Sequence, residues 1–275
     1  MKRILFGSAS AAMLLTGTAA FAQDNGDWTG AYFGGRLGYS TNVEDEDETV
    51  LFDTNLDGEF GDTVATVRGS DAFSPGFCGG RAASSTATTC RDSSGTEWAV
   101  HAGYDFQIGN SFVVGIVGDY GRADVQDAVT AFSTTPAFYT LERDLDDIAS
   151  IRARAGVALG RTLFYGTGGA VYAKVRSSFT TSNGVNTFTS REEEDDTYGY
   201  RVGGGVEHRF GERFSLGVQY LYTTVEDEDF RVRAGGANVP VSNPFILVNA
   251  DGTDFQRSDG DFDWHNLSVT ASFRF

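Results

Sequence analysis

The amino-acid sequence predicts an all-β fold, an eight-stranded antiparallel transmembrane β-barrel with four long extracellular loops and short periplasmic turns. Segments in which apolar and polar residues alternate recur eight times, which is the pattern of strands with one apolar and one polar face. The connections between these segments alternate between short and long, as they do in outer-membrane barrels. The 35 glycines and 13% aromatic residues favour tight turns and strands over helices.

Composition and charge exclude several other classes of protein. The 4 prolines are too few for collagen or a Pro-rich disordered chain, and the 40% apolar fraction is too high for a disordered acidic chain. The 38 acidic residues outnumber the 21 basic residues, whereas nucleic-acid binding needs clustered Lys and Arg. We therefore expect no nucleic-acid partner.

The beginning of the chain has the pattern of a signal peptide. In residues 1–22, two basic residues precede a mostly apolar stretch that ends in Ala20-Phe21-Ala22, a small-x-small cleavage pattern. A membrane anchor is the alternative, but the apolar stretch is shorter than a span of ~20 residues. We therefore predict a cleaved signal peptide over 1–22 and an outer-membrane β-barrel over 23–275.

The first four predicted strands carry apolar residues on the face that would meet lipid. The third is the weakest, because Val113 and Val117 share the other face with Asp119. The predicted outward residues are Ala31, Phe33, Leu37 and Tyr39; Trp98, Val100, Ala102, Tyr104, Phe106 and Ile108; Phe112, Val114, Ile116 and Tyr120; and Ala149, Ile151, Ala153, Ala155, Val157 and Leu159.

The last four predicted strands repeat this alternation. Their predicted outward residues are Leu163, Tyr165, Val171 and Val175; Tyr198, Tyr200, Val202, Val206 and Phe210; Phe214, Leu216, Val218, Tyr220 and Tyr222; and Leu267, Val269, Ala271, Phe273 and Phe275. A soluble β-sandwich would explain the alternation, but it would not explain the regular change between short and long connections.

The connections assign the two ends of the predicted barrel. Short turns lie at Gly109-Asn110, Gly160-Arg161 and Gly211-Glu212, and long polar connections occupy 44–92, 126–146, 178–196 and 226–260. Aromatic residues gather at both ends, as in the girdles of outer-membrane barrels. They are Phe106, Phe112, Phe210 and Phe214 near the short turns, and Tyr39, Trp98, Tyr120, Tyr198, Tyr222 and Trp264 near the long connections. Trp264 fits its girdle least well, because its parity in the strand points inward.

The excess negative charge belongs to the long connections. They hold 27 Asp and Glu and 8 Lys and Arg, and the acidic residues occur in runs. A solvated surface is the ordinary interpretation of such runs. The alternative is that they recruit divalent cations shared with the phosphates of lipopolysaccharide.

Both ends of the predicted barrel resemble a known family. The segment Trp28-Thr29-Gly30-Ala31-Tyr32-Phe33-Gly34-Gly35 resembles the opening of eight-stranded outer-membrane barrels of Gram-negative bacteria, the opacity-type and OmpA- or OmpX-like surface barrels. The final strand resembles their C-terminal assembly signal, with Phe273 and Phe275 as its aromatic residues. The resemblance implies an integral outer-membrane protein that the barrel-assembly machinery inserts, without implying one shared activity.

The inward faces of the predicted strands carry an unusual number of charges. An eight-stranded barrel is just wide enough for side chains to fill its lumen, and buried charges must pair or stay hydrated. We therefore predict an ion-pair network that closes the lumen, with a narrow path for water or ions as the alternative. The predicted network is Arg36, Glu97, His101, Asp105, Asp119, Arg152, Arg154, Lys174, Arg201, Glu207, Arg209 and Arg274.

One histidine raises the question of catalysis. His265 lies near Asp263 and Ser268, and these three residue types form the triad of many hydrolases. Asp263 shares the outward face of His265, but Ser268 has the opposite parity. We therefore expect that the protein is not an enzyme.

The first long connection contains a calcium-like motif and both cysteines. Asp53, Asn55 and Asp57 match the start of an EF-hand loop, but its twelfth position is Val64 in place of the bidentate Glu. An acidic turn with Asx-type hydrogen bonds is the alternative, so no cofactor is expected apart from Ca²⁺ at this weak site. Cys78 and Cys90 are predicted to form a disulfide, as paired cysteines of exported proteins do.

These observations favour a structural or surface protein of the cell outer membrane. We expect it to support membrane integrity, with outer-membrane lipid and lipopolysaccharide as its surroundings and with a host or surface ligand bound by the acidic loops. A narrow small-solute porin is the second hypothesis. An outer-membrane lipid-modifying enzyme is the third and the weakest.

Overall fold

The computed structural model of the chain describes residues 27–43, 47–82, 84, 90–191, 194–227, 230–236 and 238–275. The predicted signal peptide lies outside these residues. A 3₁₀ helix spans Pro244–Ile246. The strands are β1 Gly30–Asn42, β2 Val50–Asp53, β3 Gly76–Gly79, β4 Arg81–Ala82, β5 Cys90–Arg91, β6 Gly95–Ile108, β7 Phe112–Ala123, β8 Gln126–Ser133, β9 Ala137–Leu159, β10 Thr162–Thr181, β11 Thr187–Arg191, β12 Glu194–Phe210, β13 Phe214–Glu226, β14 Arg231–Gly235, β15 Thr253–Arg257 and β16 Asp261–Arg274.

Eight of these strands close into an antiparallel barrel. Their order around the barrel is β1, β6, β7, β9, β10, β12, β13 and β16, and β16 pairs back onto β1. Closure pairs every strand on both sides, so the barrel exposes no sheet edge. This closed strand order confirms the predicted eight-stranded barrel. A search of the described residues for helices with the length and apolar character of a membrane span found none.

The outer face of the barrel is apolar and the inner face is polar. On β1, Leu37 is 63% exposed while its neighbour Arg36 is 4% exposed. The same alternation continues on β6, where Val100 is exposed and Ala99 is buried, and on the other barrel strands. A belt of exposed apolar side chains is the surface that a barrel presents to lipid.

Exposed aromatic side chains border this belt at both ends. Near the short turns they are Phe106, Phe112, Phe210 and Phe214, and near the long connections they include Tyr39, Trp98, Tyr120 and Tyr198. Trp264 is fully buried inside the barrel, which corrects its assignment to the girdle. Trp264 occupies an inward-facing position of β16, and this is why its side chain enters the lumen.

The inward and outward faces of β10 are the reverse of the prediction. Leu163, Val171 and Val175 are buried, whereas Phe164 is exposed. Lys174 alternates with buried neighbours and therefore lies on the outer face, so its assignment to the lumen network is wrong. The reason is that the inward positions at both ends of β10 are apolar, so apolar-out and polar-in patterning does not identify its faces.

The long connections fold together above the barrel. Strands β9 and β10 continue beyond it, and the outer part of β9 pairs with β10 on one side and with β8 on the other. Strands β11, β14, β15 and β2 form a separate four-stranded sheet. We call this region the outer cap; it comprises β2–β5, β8, β11, β14, β15 and the outer ends of β9 and β10. Its core contains Phe52, Phe73, Val129, Tyr139, Leu141, Phe230, Val232, Phe245 and Phe255. The sequence analysis predicted polar connections and did not predict that these connections share an apolar core.

Candidate functional site

Five charged side chains fill the outer half of the lumen, and we call them the upper ion cluster. Oδ1 of Asp119 lies 3.3 Å from both Arg36 Nη2 and Arg201 Nη1, and its Oδ2 lies 2.7 Å from Arg152 Nη2. Oε1 of Glu97 lies 2.6 Å from Arg36 Nη2 and 3.2 Å from Arg201 Nη2. These side chains come from five different strands and are almost completely buried. Buried ions are tolerated here because each faces an opposite charge.

Four more charges form a lower ion cluster nearer the short turns. Arg154 lies 3.0 Å from Asp105 and 3.1 Å from Glu207, measured between nitrogen and carboxylate oxygen. Arg274 lies 2.5 Å from Asp105 and 3.2 Å from Glu207, so the four charges alternate around a closed ring. Tyr32 packs against both guanidinium groups, 5.1 Å from Arg154 and 4.7 Å from Arg274, distances typical of cation–π contacts.

A small cavity separates the two ion clusters. His101 lies at its wall, with Nε2 2.9 Å from Ser272 Oγ. Gln219 also lines the cavity and donates a hydrogen bond to Tyr165 Oη at 3.0 Å. The cavity volume of ≈ 20 Å³ has room for about one water molecule.

The lumen is closed by apolar side chains on the side of the short turns. Trp28 precedes β1, is 0% exposed, and packs with Val113, Ala158 and Leu163, which together we call the lower plug. Its indole Nε1 donates a hydrogen bond to the carbonyl oxygen of Gly160 at 3.2 Å. The prediction gave Trp28 no role, although its parity with Arg36 indicates an inward position.

The glycine that follows Trp28 has a steric role. Gly30 has φ +144°, and a Cβ there would lie 2.7 Å from the carbonyl oxygen of Phe275. Phe275 donates its backbone N–H to Ala31 at 3.0 Å, so the first and last strands meet where this segment begins. The segment that resembles the start of the family's barrels therefore has two roles. Trp28 closes the lumen, and Gly30 lets the first strand approach the last strand closely.

Apolar side chains also fill the opposite end of the lumen. Trp264 donates its Nε1–H to Glu97 Oε2 at 3.3 Å and so caps the upper ion cluster. We call the apolar group around Trp264 the upper plug; its members are Ala123, Val125, Leu145, Ile148, Val171, Ala173, Val175, Val225, Phe262 and Trp264. The described lumen is thus filled in five successive layers: plug, ion cluster, small cavity, ion cluster and plug.

Arg209 lies at the rim beside the lower plug. Its guanidinium donates hydrogen bonds to the backbone carbonyls of Asp27 and Glu212 and lies 5.7 Å from the centre of the Trp28 ring. The sequence predicted Arg209 in the lumen ion network, whereas its guanidinium contacts the lower plug at the rim.

The residues considered for catalysis lie on opposite faces of β16. His265 Nδ1 lies 2.8 Å from Tyr220 Oη on the outer face, and Asp263 accepts a hydrogen bond from Tyr222 at 2.9 Å. Ser268 is buried in the lumen and donates to the carbonyl of Gln219 at 3.3 Å. These three side chains therefore form no triad within the strand, because the wall of the barrel separates Ser268 from His265.

The calcium-like motif forms a tight acidic turn. Asp53 accepts backbone N–H groups from Leu56 at 2.6 Å and Gly58 at 2.8 Å. Asn55 and Asp57 also accept N–H groups two residues further along the chain, both at about 2.8–2.9 Å. These are the Asx-type bonds of the alternative interpretation. Among the described residues, no group of three or more His, Cys, Asp or Glu could hold a metal ion. The structure therefore adds no support for a Ca²⁺ site, and Ca²⁺ binding stays a prediction.

Cys78 and Cys90 form a disulfide with Cα atoms 5.9 Å apart, as the sequence predicts. The bond ties β3 to β5 at the edge of the outer cap. Since β3 pairs with β8 of the neighbouring connection, the disulfide fixes part of the first connection next to the second.

We expect Cys78→Ser/Cys90→Ser to destabilise the outer cap locally by roughly 3 kcal/mol, because the closed loop restricts the unfolded segment. Limited proteolysis should then cleave the first connection faster, while barrel strands stay protected. Wild-type protein treated with a reductant is the matched control and should behave as the double variant does. Equal cleavage rates in the oxidised wild type and the variant would contradict the expectation.

The chain is similar to known outer-membrane proteins. The family model described as outer membrane protein beta-barrel domain matches residues 9–275. The chain is 27% identical over 202 residues to the 31 kDa outer-membrane immunogenic protein of Brucella melitensis, covering 73% of this chain and 72% of that relative. It is 28% identical over 136 residues to the 22 kDa outer membrane protein of Rhizobium leguminosarum, covering 50% and 56% of the two chains.

A likeness to a solved structure is weaker. The chain aligns with the outer membrane protein OprG of Pseudomonas aeruginosa at 12% identity and a TM-score of 0.47, covering 91% of this chain and 99% of that one.

Proposed function

This chain belongs to the outer membrane protein β-barrel domain family, and from that premise we propose that it is a non-conducting surface protein of the cell outer membrane. In this proposal the barrel anchors the protein and the outer cap carries its interactions. The observation that carries the proposal is the five-layer filling of the lumen, with Trp28 at one end and Trp264 at the other.

The layered lumen argues against the second hypothesis, a small-solute porin. A pore needs a continuous aqueous path, whereas the cavity between the ion clusters has a volume of only ≈ 20 Å³, room for about one water molecule. Opening a path would break several buried ion pairs, and an ion left buried without its partner costs about 3–5 kcal/mol.

We expect planar-bilayer recordings of the refolded protein to contain no large, stable open steps. A general porin measured in the same membranes supplies the positive control, and heat-modifiable migration on a gel verifies that the barrel is folded. Frequent stable openings of the folded wild type would contradict the proposal and support the porin hypothesis.

The outer cap supports a role in surface interaction. Its four connections hold most of the acidic residues of the chain, and the shared core of Phe52, Tyr139 and Phe255 gives their surface a fixed shape. A fixed surface binds a ligand with a smaller loss of conformational entropy than mobile loops do. The Brucella relative is named an immunogenic protein, a name that agrees with exposure of such loops at the cell surface.

The partners that we propose follow from the location of each surface. Outer-membrane lipid and lipopolysaccharide surround the apolar belt, and a host or surface ligand binds the outer cap. The barrel-assembly machinery recognises the last strand, where Phe273 and Phe275 flank Phe33 with ring centres 6.0 and 5.9 Å away. We propose no catalytic activity, since Ser268 and His265 lie on opposite faces of β16.

A further inference from the structure

A third group of buried charges joins the outer connections above the upper plug. This cap ion cluster consists of Glu48, Asp127, Arg143, Asp227 and Arg257. Glu48 comes from the first connection, Asp127 and Arg143 from the second, and Asp227 and Arg257 from the fourth. The cluster therefore lies where three of the four long connections meet, outside the apolar belt of the barrel.

Asp127 is the centre of the cap ion cluster. Its Oδ2 lies 2.7 Å from Arg143 Nη2 and 2.6 Å from Arg257 Nη2. Arg257 Nη2 also lies 2.7 Å from Glu48, and Arg143 Nη1 lies 3.8 Å from Asp227. One continuous set of ion pairs thus connects the three chain segments.

The surroundings of the cluster hold these groups in place. Arg143 lies 5.0 Å from the centre of the Phe262 ring in the upper plug and donates to the carbonyl of Asp261 at 2.8 Å. Arg257 pairs with Val50 in the register of β15 and β2, and Thr49 donates its backbone N–H to Ser258 Oγ at 2.8 Å. Glu48 therefore remains beside Arg257 only while the first and fourth connections stay joined.

The charges in the cluster do not balance. Three carboxyl groups and two guanidinium groups make up the cluster, so these five side chains together carry one excess negative charge when all of them are ionised. Burial makes an excess charge costly, and protonation of one carboxyl removes it. Glu48 and Asp127 both contact Arg257, but Asp127 also contacts Arg143, so Glu48 is the more readily protonated of these two carboxyl groups.

We propose that the cap ion cluster is a pH-dependent junction, which holds the three connections together more tightly at low pH than at high pH. Protonation of Glu48 tightens the junction of the three connections, and loss of that proton as the pH rises loosens it. This inference goes beyond the proposed function, because it concerns the mobility of the outer cap and holds whether or not the lumen conducts.

Titration of Glu48 gives the direction of the effect. Burial raises the pKa of Glu48 from 4.5 to about 7, although Arg257 opposes the shift. A carboxyl with a raised pKa in the closed state stabilises that state most at low pH, below about 4.5, and the stabilisation is lost as the pH rises through about 7.

The other charged groups near Glu48 do not reverse this direction. Burial opposes ionisation of Asp127, but Arg257 and Arg143 outweigh it and lower its pKa, so Asp127 stays ionised above neutral pH. Asp227, after β13, completes the cluster beside Arg143, and Asp261 at the start of β16 is a further carboxyl group near Arg143. Asp47 is the chain neighbour of Glu48.

The pH dependence of this junction can be tested by hydrogen exchange of the full protein in detergent micelles. Between pH 5.5 and 8.5, the opening equilibrium of the hairpin 126–146 should rise about 30-fold, the value that linkage gives for the two pKa values of Glu48. Protection factors corrected for the intrinsic pH dependence of exchange measure this equilibrium, and the barrel strands serve as an internal reference.

Variants separate Glu48 from the rest of the acidic surface. Glu48→Gln keeps the shape of the side chain without its charge, so the pH effect should fall below about threefold. Glu59→Gln, at an exposed position in the same connection, should retain the full effect. Equal protection of the wild type at both pH values would overturn the proposal, as would an unchanged pH effect in folded Glu48→Gln. The comparison of the wild type at the two pH values tests the proposal even if Glu48→Gln does not fold.

Discussion

Replacing Asp119 with asparagine is expected to lower the free energy of unfolding by ~3–5 kcal/mol, the cost of breaking a buried ion pair by removing one partner. Asp119 faces Arg36, Arg152 and Arg201 in the upper ion cluster. Without its charge, Arg36 and Arg201 keep the carboxylate of Glu97, whereas Arg152 loses its ion pair with Asp119. The uncompensated positive charge is the source of the loss.

Denaturant titration of the refolded protein in lipid measures this change. Asp251→Asn, at an exposed position of the fourth connection, is the matched control and should change the unfolding free energy by less than ~0.5 kcal/mol. Adding Arg152→Met to Asp119→Asn should recover part of the loss, since it removes one of the excess buried charges. A loss below ~1 kcal/mol for Asp119→Asn alone would contradict the assigned role of the cluster.

The sequence could predict which side chains enter the lumen but not which of them meet. Strand parity places Arg36, Asp119 and Arg201 on inward faces, and that follows from the period of two. Their contact depends on the stagger of strands that are not neighbours, because β6 lies between β1 and β7. Parity carries no information on that stagger, so the division into two ion clusters emerges only in three dimensions.

The wrong predictions for β10, Lys174 and Trp264 have a common physical cause. Outward apolar and inward polar patterning assumes a wet lumen, but both ends of this lumen are apolar. On β10, Leu163 packs with Trp28 and Val175 joins the upper plug, so both faces of the strand carry apolar residues. The reversal of β10 and the misplacement of Lys174 and Trp264 follow from this feature.

The outer cap was hidden from sequence reasoning for a related reason. Each long connection contains only a few aromatic residues among many polar ones, and a single connection could not bury them. Phe52 and Phe255 come from the first and fourth connections, yet their ring centres lie 5.3 Å apart. Such a core depends on contacts between distant segments, whereas the barrel strands reveal themselves locally by alternation.

The second large effect is expected at the opposite end of the lumen from the outer cap. Trp28→Ala should lower the free energy of unfolding by ~3–5 kcal/mol, the usual cost of truncating a buried Trp. The indole is fully buried, and Arg274 lies 4.8 Å from its ring centre. Trp28→Phe keeps an aromatic ring but leaves the carbonyl of Gly160 without its donor, so a smaller loss of ~1–3 kcal/mol is expected.

Trp28→Ala also separates stability from closure of the lumen. The lower ion cluster, the upper ion cluster and the upper plug all remain when Trp28 is removed, so the variant should unfold more easily and still show no stable open steps in planar bilayers. Denaturant titration and conductance recordings on one preparation measure both properties. Stable channels in the folded variant would mean that Trp28 alone closes the lumen. Unchanged stability would mean that the indole contributes little to the packing of the lower plug.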